Sequence, residues 1–99
     1  MARRSIVLEE RKQIKIFTNP VRQEMIRLLR LSEVPLTAKD LADRLYLSPA
    51  AVQHHLKKLE EIGVVEVDHH ARAGDMEVTY YRDADVEVQL PVSYTHLTL

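Results

Sequence analysis

The chain has 99 residues, of which 45% are hydrophobic and 29% charged, a balance typical of one small globular domain. It contains no cysteine, which excludes disulfides, thiolate metal sites and a cysteine nucleophile. The net charge of -1 conceals a division, because residues 1–62 carry 12 Lys or Arg against 8 Asp or Glu, whereas residues 63–99 carry 2 against 7. We therefore expect the basic part to face an anion.

Two helices are predicted near the start of the chain. The apolar residues predict an amphipathic helix over residues 5–18, which breaks at Asn19-Pro20. Asn19 can cap a second helix over residues 20–31, and Pro20 suits its first position because the N–H that proline lacks would be unpaired there anyway. No apolar run is long enough for a signal peptide or a membrane span, so we expect a cytoplasmic protein without a membrane partner.

A third and a fourth helix follow, each with its own cap. Thr37 and Asp40 resemble a capping box for a short helix over residues 38–45, which has an apolar stripe on one face. Ser48 can cap a longer helix over residues 49–62, which begins with a proline. A short helix, a tight turn and then a capped helix with an exposed polar face are typical of a helix-turn-helix.

After Gly63, which ends the fourth helix, the apolar residues change from helical to alternating spacing. Two alternating stretches, 64–68 and 76–81, flank a turn signal at Gly74-Asp75, and this arrangement predicts a β-hairpin. Residues 83–91 continue the alternation, either as a third strand or as the start of a connection to chain that is missing.

Over about residues 8–82 the sequence resembles the ArsR-like winged-helix regulators of bacteria and archaea. The resemblance lies in separated segments in the same order, namely Asn19-Pro20-Val21-Arg22, residues 38–45, residues 47–60, Gly63-Val64-Val65 and Tyr80-Tyr81-Arg82. It implies an α+β fold over residues 1–82: a winged helix-turn-helix of three to four helices followed by a β-hairpin wing. It also implies a homodimeric transcriptional regulator, a repressor, that binds double-stranded DNA at an imperfect inverted repeat.

The resemblance places the helix of residues 49–62 in the major groove. There Gln53 can make a bidentate contact to adenine, His54 can contact guanine or a phosphate, and Lys57 meets phosphate. Arg72, at the wing tip, suits a minor-groove or backbone contact. The full set of residues expected to contact DNA is Thr37, Ser48, Pro49, Ala50, Gln53, His54, Lys57 and Arg72. Against this stands the plainer interpretation of a solvated helix face, with Thr37 and Ser48 acting only as caps.

Two departures from the family pattern matter. Relatives often carry glycine where this chain has Tyr46, so either the turn avoids positive φ or Tyr46 accepts strain. The metal-sensing relatives use cysteines or a C-terminal His and acidic set, and neither can be located here, so we expect no metal. Adjacent histidines such as His54 and His55 point about 100° apart on a helix and do not suit one ion, and we expect His55 to be structural. With no phosphate-cradling loop or nucleophile elbow, we expect neither a cofactor nor an enzyme.

The ends of the chain carry three further expectations. Val7, Ile14 and Phe17 of the first helix are candidates for a dimer seam. Residues 92–99 resemble the translation of a sequencing-library adapter, which makes them a non-native tail. If the natural frame was lost there, a small-molecule effector would bind through a C-terminal region missing from this chain.

Two interpretations of surface charge stay open. The arginines of the second helix are expected to form surface pairs with Glu24 and Glu33, or to be solvated, rather than to contact DNA. The acidic residues of 63–99 support a rival function, in which a winged helix binds another protein through the hairpin and residues 83–90 and does not bind DNA.

Overall fold

The computed structural model describes residues 3–92. Its elements, in chain order, are β1 (Arg4–Val7), α1 (Arg11–Thr18), α2 (Pro20–Leu31), β2 (Leu36–Thr37), α3 (Ala38–Leu45), α4 (Pro49–Glu61), β3 (Val65–Ala73), β4 (Met76–Asp83) and β5 (Val86–Gln89). Four helices followed by an antiparallel hairpin confirm the predicted α+β architecture. The predicted adapter-like tail lies outside the described residues, except for Val92.

The predicted helix caps of α2, α3 and α4 are confirmed. The Asn19 side chain accepts hydrogen bonds from two backbone N–H groups of α2, at 2.9 and 3.2 Å. Thr37 and Asp40 form the reciprocal capping box of α3, with N···O distances of 2.9 and 3.1 Å. Ser48 Oγ accepts from the Ala51 N–H at 3.1 Å. Caps of this kind stabilise a helix by about 1 kcal/mol each, and here they fix where the helices of the helix-turn-helix begin.

The predicted helix over residues 5–18 is wrong in its first part. Arg4–Val7 form β1, which pairs in parallel with β5, and the Leu8 N–H extends the pairing by donating to the Gln89 carbonyl at 3.0 Å. Helix α1 begins only at Arg11. The physical reason is that β5 satisfies the backbone of this segment, while Leu8, 2% exposed, enters the core.

The wing belongs to a three-stranded sheet with the order β2-β4-β3. Tyr81 pairs with Leu36 of β2 on one side and with Val67 of β3 on the other. The register of the hairpin shifts between Val67 and His69, as at a β-bulge, where a strand locally bends and twists more strongly. The sequence alternation groups Tyr81 with polar residues, yet Tyr81 is the buried member of β4 and Tyr80 stacks on His69 instead, with ring centroids 4.5 Å apart.

One hydrophobic core joins the helices to both sheets. Its fully buried side chains are Leu8, Met25, Leu41, Val52, Leu56, Leu59, Val64, Val65 and Val86. Three of these lie on α4, at the positions predicted to point inward, so the opposite face of α4 is directed at solvent. No helix within residues 3–92 is both long and apolar enough to cross a membrane.

Candidate nucleic-acid interface

The outer face of α4 carries the polar side chains that a groove-reading helix needs. Because the apolar residues of α4 anchor it to the core, Pro49, Ala50, Gln53, His54 and Lys57 are all exposed. Gln53 and His54 present hydrogen-bond donors and acceptors, and Lys57 presents a positive charge one turn further along. The prediction that these five residues point outward from α4 is therefore confirmed.

A shallow cleft of about 290 Å³ lies between the start of α3, the start of α4 and the wing. Thr37, Pro49 and Gln53 line one side of it, and Met76 and Thr79 of β4 line the other. The structure thus brings three of the predicted residues together and adds the wing as a second wall. Such a cleft offers side chains from two elements to a single extended partner.

The remaining predicted residues lie around this cleft and not in it. Ser48 is exposed and caps α4, and Lys57 lies beside Glu60 and Glu61, one turn along α4 from Gln53. Arg72 is exposed on β3, opposite Glu77 of β4, and makes no ion pair within residues 3–92. Its guanidinium is therefore available to a partner.

Sequence reasoning missed Lys39 and the wing residues Met76 and Thr79. Lys39 lines the cleft from the first turn of α3, and its ammonium pairs with Asp43 at 3.1 Å on the exposed surface. Lys39 could have been found from the sequence, because it is a cationic residue two positions after the predicted cap Thr37. Met76 is 71% exposed beside the cleft, which an alternating strand pattern does not indicate because it assigns apolar residues to the core.

His55 links α4 to α2 and, through Arg22, to α1. Its Nδ1 accepts a hydrogen bond from Arg22 Nε at 3.0 Å, and Arg22 Nη1 reaches the Ile16 carbonyl at 3.5 Å. The structural role expected for His55 is confirmed. The expected surface pairing of Arg22 with an acidic residue is wrong, because the partly buried His55 is a closer acceptor.

The other two arginines of α2 do form surface ion pairs. Arg27 pairs with Glu24, as expected, at 2.6 Å. Arg30 pairs with Asp83 of β4, at 3.4 Å, and not with Glu33.

The surroundings of His55 predict that its titration contributes to the pH dependence of folding. Burial lowers the pKa of His55 below its usual 6.5, and the positive charges of Arg22 and His54 lower it further. The unfolded chain then binds more protons than the folded chain between the two pKa values. Stability is therefore full above about pH 6.5 and is lost as the pH falls through the lower, folded value. We expect His55→Asn, which keeps an acceptor but does not titrate, to flatten the pH dependence of the urea midpoint below about pH 6.5.

A matched control for this prediction is His70→Asn on the wing, where His70 is exposed and contacts the side chains of Thr79 and Glu77. His70→Asn should leave the pH dependence of the urea midpoint as steep as in wild type. If the urea midpoint of wild type and that of His55→Asn fell equally steeply with decreasing pH, the Arg22–His55 contact would not control the loss of stability in acid.

The base of the wing is held by an ionic network. Arg82 pairs with Glu66 at 3.0 Å and with Asp68 at 2.9 Å. The hydrogen bond to His69 lowers the pKa of Asp68 below its usual range, and Arg82 adds to the effect. Within residues 3–92 no three His, Asp or Glu side chains are grouped as a metal site.

The residues expected as a dimer seam do not share one helical face. Val7 is 54% exposed on β1, whereas Ile14 on α1 is 5% exposed and belongs to the core. Phe17 is partly buried against that core. The seam assignment stays a prediction, and only Val7 presents a largely exposed surface.

A family model described as a helix-turn-helix domain matches residues 17–68, just over half of the chain. The chain belongs to this helix-turn-helix family. The match runs from the end of α1 through α4 and into β3, and so covers the caps and the outer face described above. No curated protein sequence gave a significant match.

Solved structures with a similar fold extend the comparison. One is the homodimeric winged helix-turn-helix DNA-binding domain (fragment 1–100) of Mb0332 from Mycobacterium bovis, a possible ArsR-family transcriptional regulator. It has a TM-score of 0.57 and 23% identity, with 74% of this chain and 61% of that chain covered. Another is the transcriptional repressor BigR from Xylella fastidiosa, with a TM-score of 0.54 and 21% identity. The match covers 72% of this chain and 63% of that chain.

A third similar structure is a double mutant of ZitR from Lactococcus lactis, with a TM-score of 0.52 and 30% identity, covering 81% of this chain and 51% of that chain. This helix-turn-helix chain thus spans 61% of the Mb0332 domain and about half of ZitR. Together the likenesses show that its fold is a winged helix-turn-helix, with α3 and α4 as the two helices and β3–β4 as the wing.

Proposed function

We propose that the chain binds double-stranded DNA as the DNA-binding domain of an ArsR-like transcriptional regulator, with α4 in the major groove. The observation that carries the proposal is the exposed polar face of α4. On this face Gln53 lines a cleft whose other wall is formed by the wing. A major groove about 12 Å wide admits one α-helix, and side chains near the start of that helix reach the base edges.

The contacts divide by chemistry into two groups. Gln53 and His54 can hydrogen-bond to base edges and so supply sequence preference, with Pro49 and Ala50 close to the bases at the start of the helix. Lys57, Arg72 and the capped N-termini marked by Thr37 and Ser48 meet phosphates and supply affinity for any sequence. Lys39, exposed beside Thr37, joins this second group.

A dimer explains how so small a surface gains specificity. Two copies related by a two-fold axis place their α4 helices in successive major grooves, about 34 to 36 Å apart, and then favour an imperfect inverted repeat. The homodimeric state of the Mb0332 domain supports this assembly. We extend the proposal to a cytoplasmic repressor whose small-molecule effector binds through a region beyond the described residues.

Two substitutions on α4 separate base recognition from phosphate contact. We expect Gln53→Ala to lose about 1 to 3 kcal/mol of discrimination at particular base pairs, because it removes a bidentate donor and acceptor. We expect Lys57→Ala to weaken binding to all duplexes alike and to reduce the slope of log K against log salt by about one, because one phosphate contact is lost. Fluorescence anisotropy with a preferred and a scrambled duplex at several salt concentrations measures both effects.

The same titration tests the proposal itself. Salt-sensitive binding of wild type to random duplex at micromolar concentration is expected. Its absence would favour the rival function, a protein-docking module. If Gln53→Ala and Lys57→Ala changed every duplex equally, the base-reading role of Gln53 would be wrong.

Two features of the structure count against the protein-docking rival. Arginines pair with four carboxylates of residues 63–99, since Arg82 holds Glu66 and Asp68, Arg30 holds Asp83 and Arg3 holds Asp85. Because Arg82 is already counted within this segment, only Arg3 and Arg30 add positive charge to it, and they lower its net charge from -5 (2 Lys or Arg against 7 Asp or Glu) to -3. In addition, β5, the strand offered for docking, already pairs with β1 along one edge.

A further inference from the structure

Tyr46 is held in a backbone conformation that favours glycine. It lies in the turn after α3 with φ 57° and ψ 41°, in the left-handed region. The turn is closed by the Leu47 N–H, which donates to the Ala42 carbonyl at 3.1 Å. A residue with a Cβ is strained in this conformation, so the sequence expectation of an avoided positive φ is wrong and the alternative of strain is correct.

No contact of the Tyr46 side chain within residues 3–92 compensates for this strain. Tyr46 is 94% exposed, more than any other large hydrophobic residue of the described chain. Its phenol has no hydrogen-bond partner and its ring no stacking partner within residues 3–92. Glycine would close the same turn without strain, so the aromatic side chain is explained by a contact outside the chain.

The position of Tyr46 indicates what it contacts. Tyr46 precedes Pro49, the first residue of α4, by three residues, so their Cα atoms lie at most about 11 Å apart. When the start of a helix lies in a major groove about 12 Å wide, the turn that leads into it lies beside a sugar–phosphate strand. A tyrosine hydroxyl is among the side-chain donors that bind DNA phosphates.

We infer that Tyr46 anchors the recognition helix to DNA by donating a hydrogen bond from its phenol O–H to a backbone phosphate beside α4. The inference rests on the proposed DNA-binding function and names a residue that this function does not otherwise use. The left-handed backbone directs the ring into solvent before DNA arrives, so little ordering of the chain is needed on binding.

A neutral phosphate donor has a binding signature distinct from that of a lysine. Because a phosphate carries no sequence information, its loss weakens every duplex by the same factor. Because the phenol is uncharged, no counterion is released, and the slope of log K against log salt does not change. Lys57→Ala, in contrast, should lower that slope by about one.

The experiment compares wild type, Tyr46→Phe and Tyr46→Gly by fluorescence anisotropy with a preferred and a scrambled duplex over a range of salt. Tyr46→Phe removes only the hydroxyl and keeps the fold. It should bind both duplexes about 10-fold more weakly with an unchanged salt slope, the size expected for one hydrogen bond to a charged group. Tyr46→Gly should bind both duplexes at least as weakly as Tyr46→Phe does. Its Tm should nevertheless rise by about 4 °C, because glycine relieves the backbone strain.

Asp85→Gly is the matched control, since Asp85 is the other non-glycine residue with positive φ among residues 3–92, at 54°, and is also exposed. It lies in the loop between β4 and β5, paired with Arg3, and its substitution should leave DNA affinity unchanged. If wild type binds duplex and Tyr46→Phe binds equally well, the inference is overturned while the proposed function stands. If wild type does not bind duplex, both are overturned.

Discussion

Replacing Leu56 with alanine is expected to destabilise the protein by about 3 to 5 kcal/mol. Leu56 is 1% exposed on the inner face of α4, so truncation leaves a cavity in the core that holds the recognition helix. For a domain of this size the Tm should fall by at least about 12 °C. Urea unfolding followed by circular dichroism measures the loss as a lower midpoint with an unchanged m-value.

Lys57, the next residue along α4, supplies the matched control for Leu56→Ala. Lys57 is exposed, so Lys57→Ala should change the free energy of unfolding by less than about 0.5 kcal/mol while weakening DNA binding. The two neighbouring substitutions thus separate the inner and outer faces of one helix. A loss below about 1 kcal/mol for Leu56→Ala would mean that the inner face is not packed as the structure shows.

The helices could be predicted from the sequence because their limits are set locally. Asn19, Thr37 and Ser48 each accept a hydrogen bond from an N–H two or three residues later, so the signal lies within one turn. Gly63, which follows the C-cap residue Ile62 of α4, adopts φ 84°, and this signal is local as well. Once the ends of α4 were known, the spacing of its apolar residues identified the inner face, and the residues of the outer face were those that remained.

The pairing of β1 with β5 could not be predicted, because the partner strands are about 80 residues apart in sequence. Residues 5–7 taken alone fit either a helix or a strand, and only the edge of β5 decides between them. Tyr81 shows the same limit on a smaller scale. An alternating strand has two faces, and β2 together with the core selects the one that is buried.

The candidate site was predictable on α4 and not beyond it. The cleft depends on how the wing lies against the start of α3, which is a matter of tertiary packing, so Lys39 and Met76 were missed. The hydrogen bond from Arg22 to His55 likewise joins residues 33 positions apart. Tyr46 was recognised as unusual from sequence, but only its backbone angles decided between an avoided positive φ and strain.

The second large effect is expected for Leu8→Ala, which tests the part of the fold that the sequence did not predict. Leu8 is 2% exposed and follows β1 directly, with its N–H bonded to Gln89. If β1 and β5 belong to the core, truncating Leu8 leaves a cavity and costs about 3 kcal/mol in the free energy of unfolding. Urea unfolding at pH 7 measures this loss, and hydrogen exchange should show faster opening of β5 than of β3 or β4.

Val7→Ala is the control for Leu8→Ala, because Val7 is 54% exposed on the strand itself. Alternation along β1 directs Val7 to solvent and Leu8 to the core, so the control should change the free energy of unfolding by about 0.5 kcal/mol or less. A helix over residues 5–18 would instead place both residues on one continuous turn and give two modest effects. A large loss at Leu8 with almost none at Val7 is therefore the result that distinguishes the strand from the helix, and near-equal losses would contradict the strand.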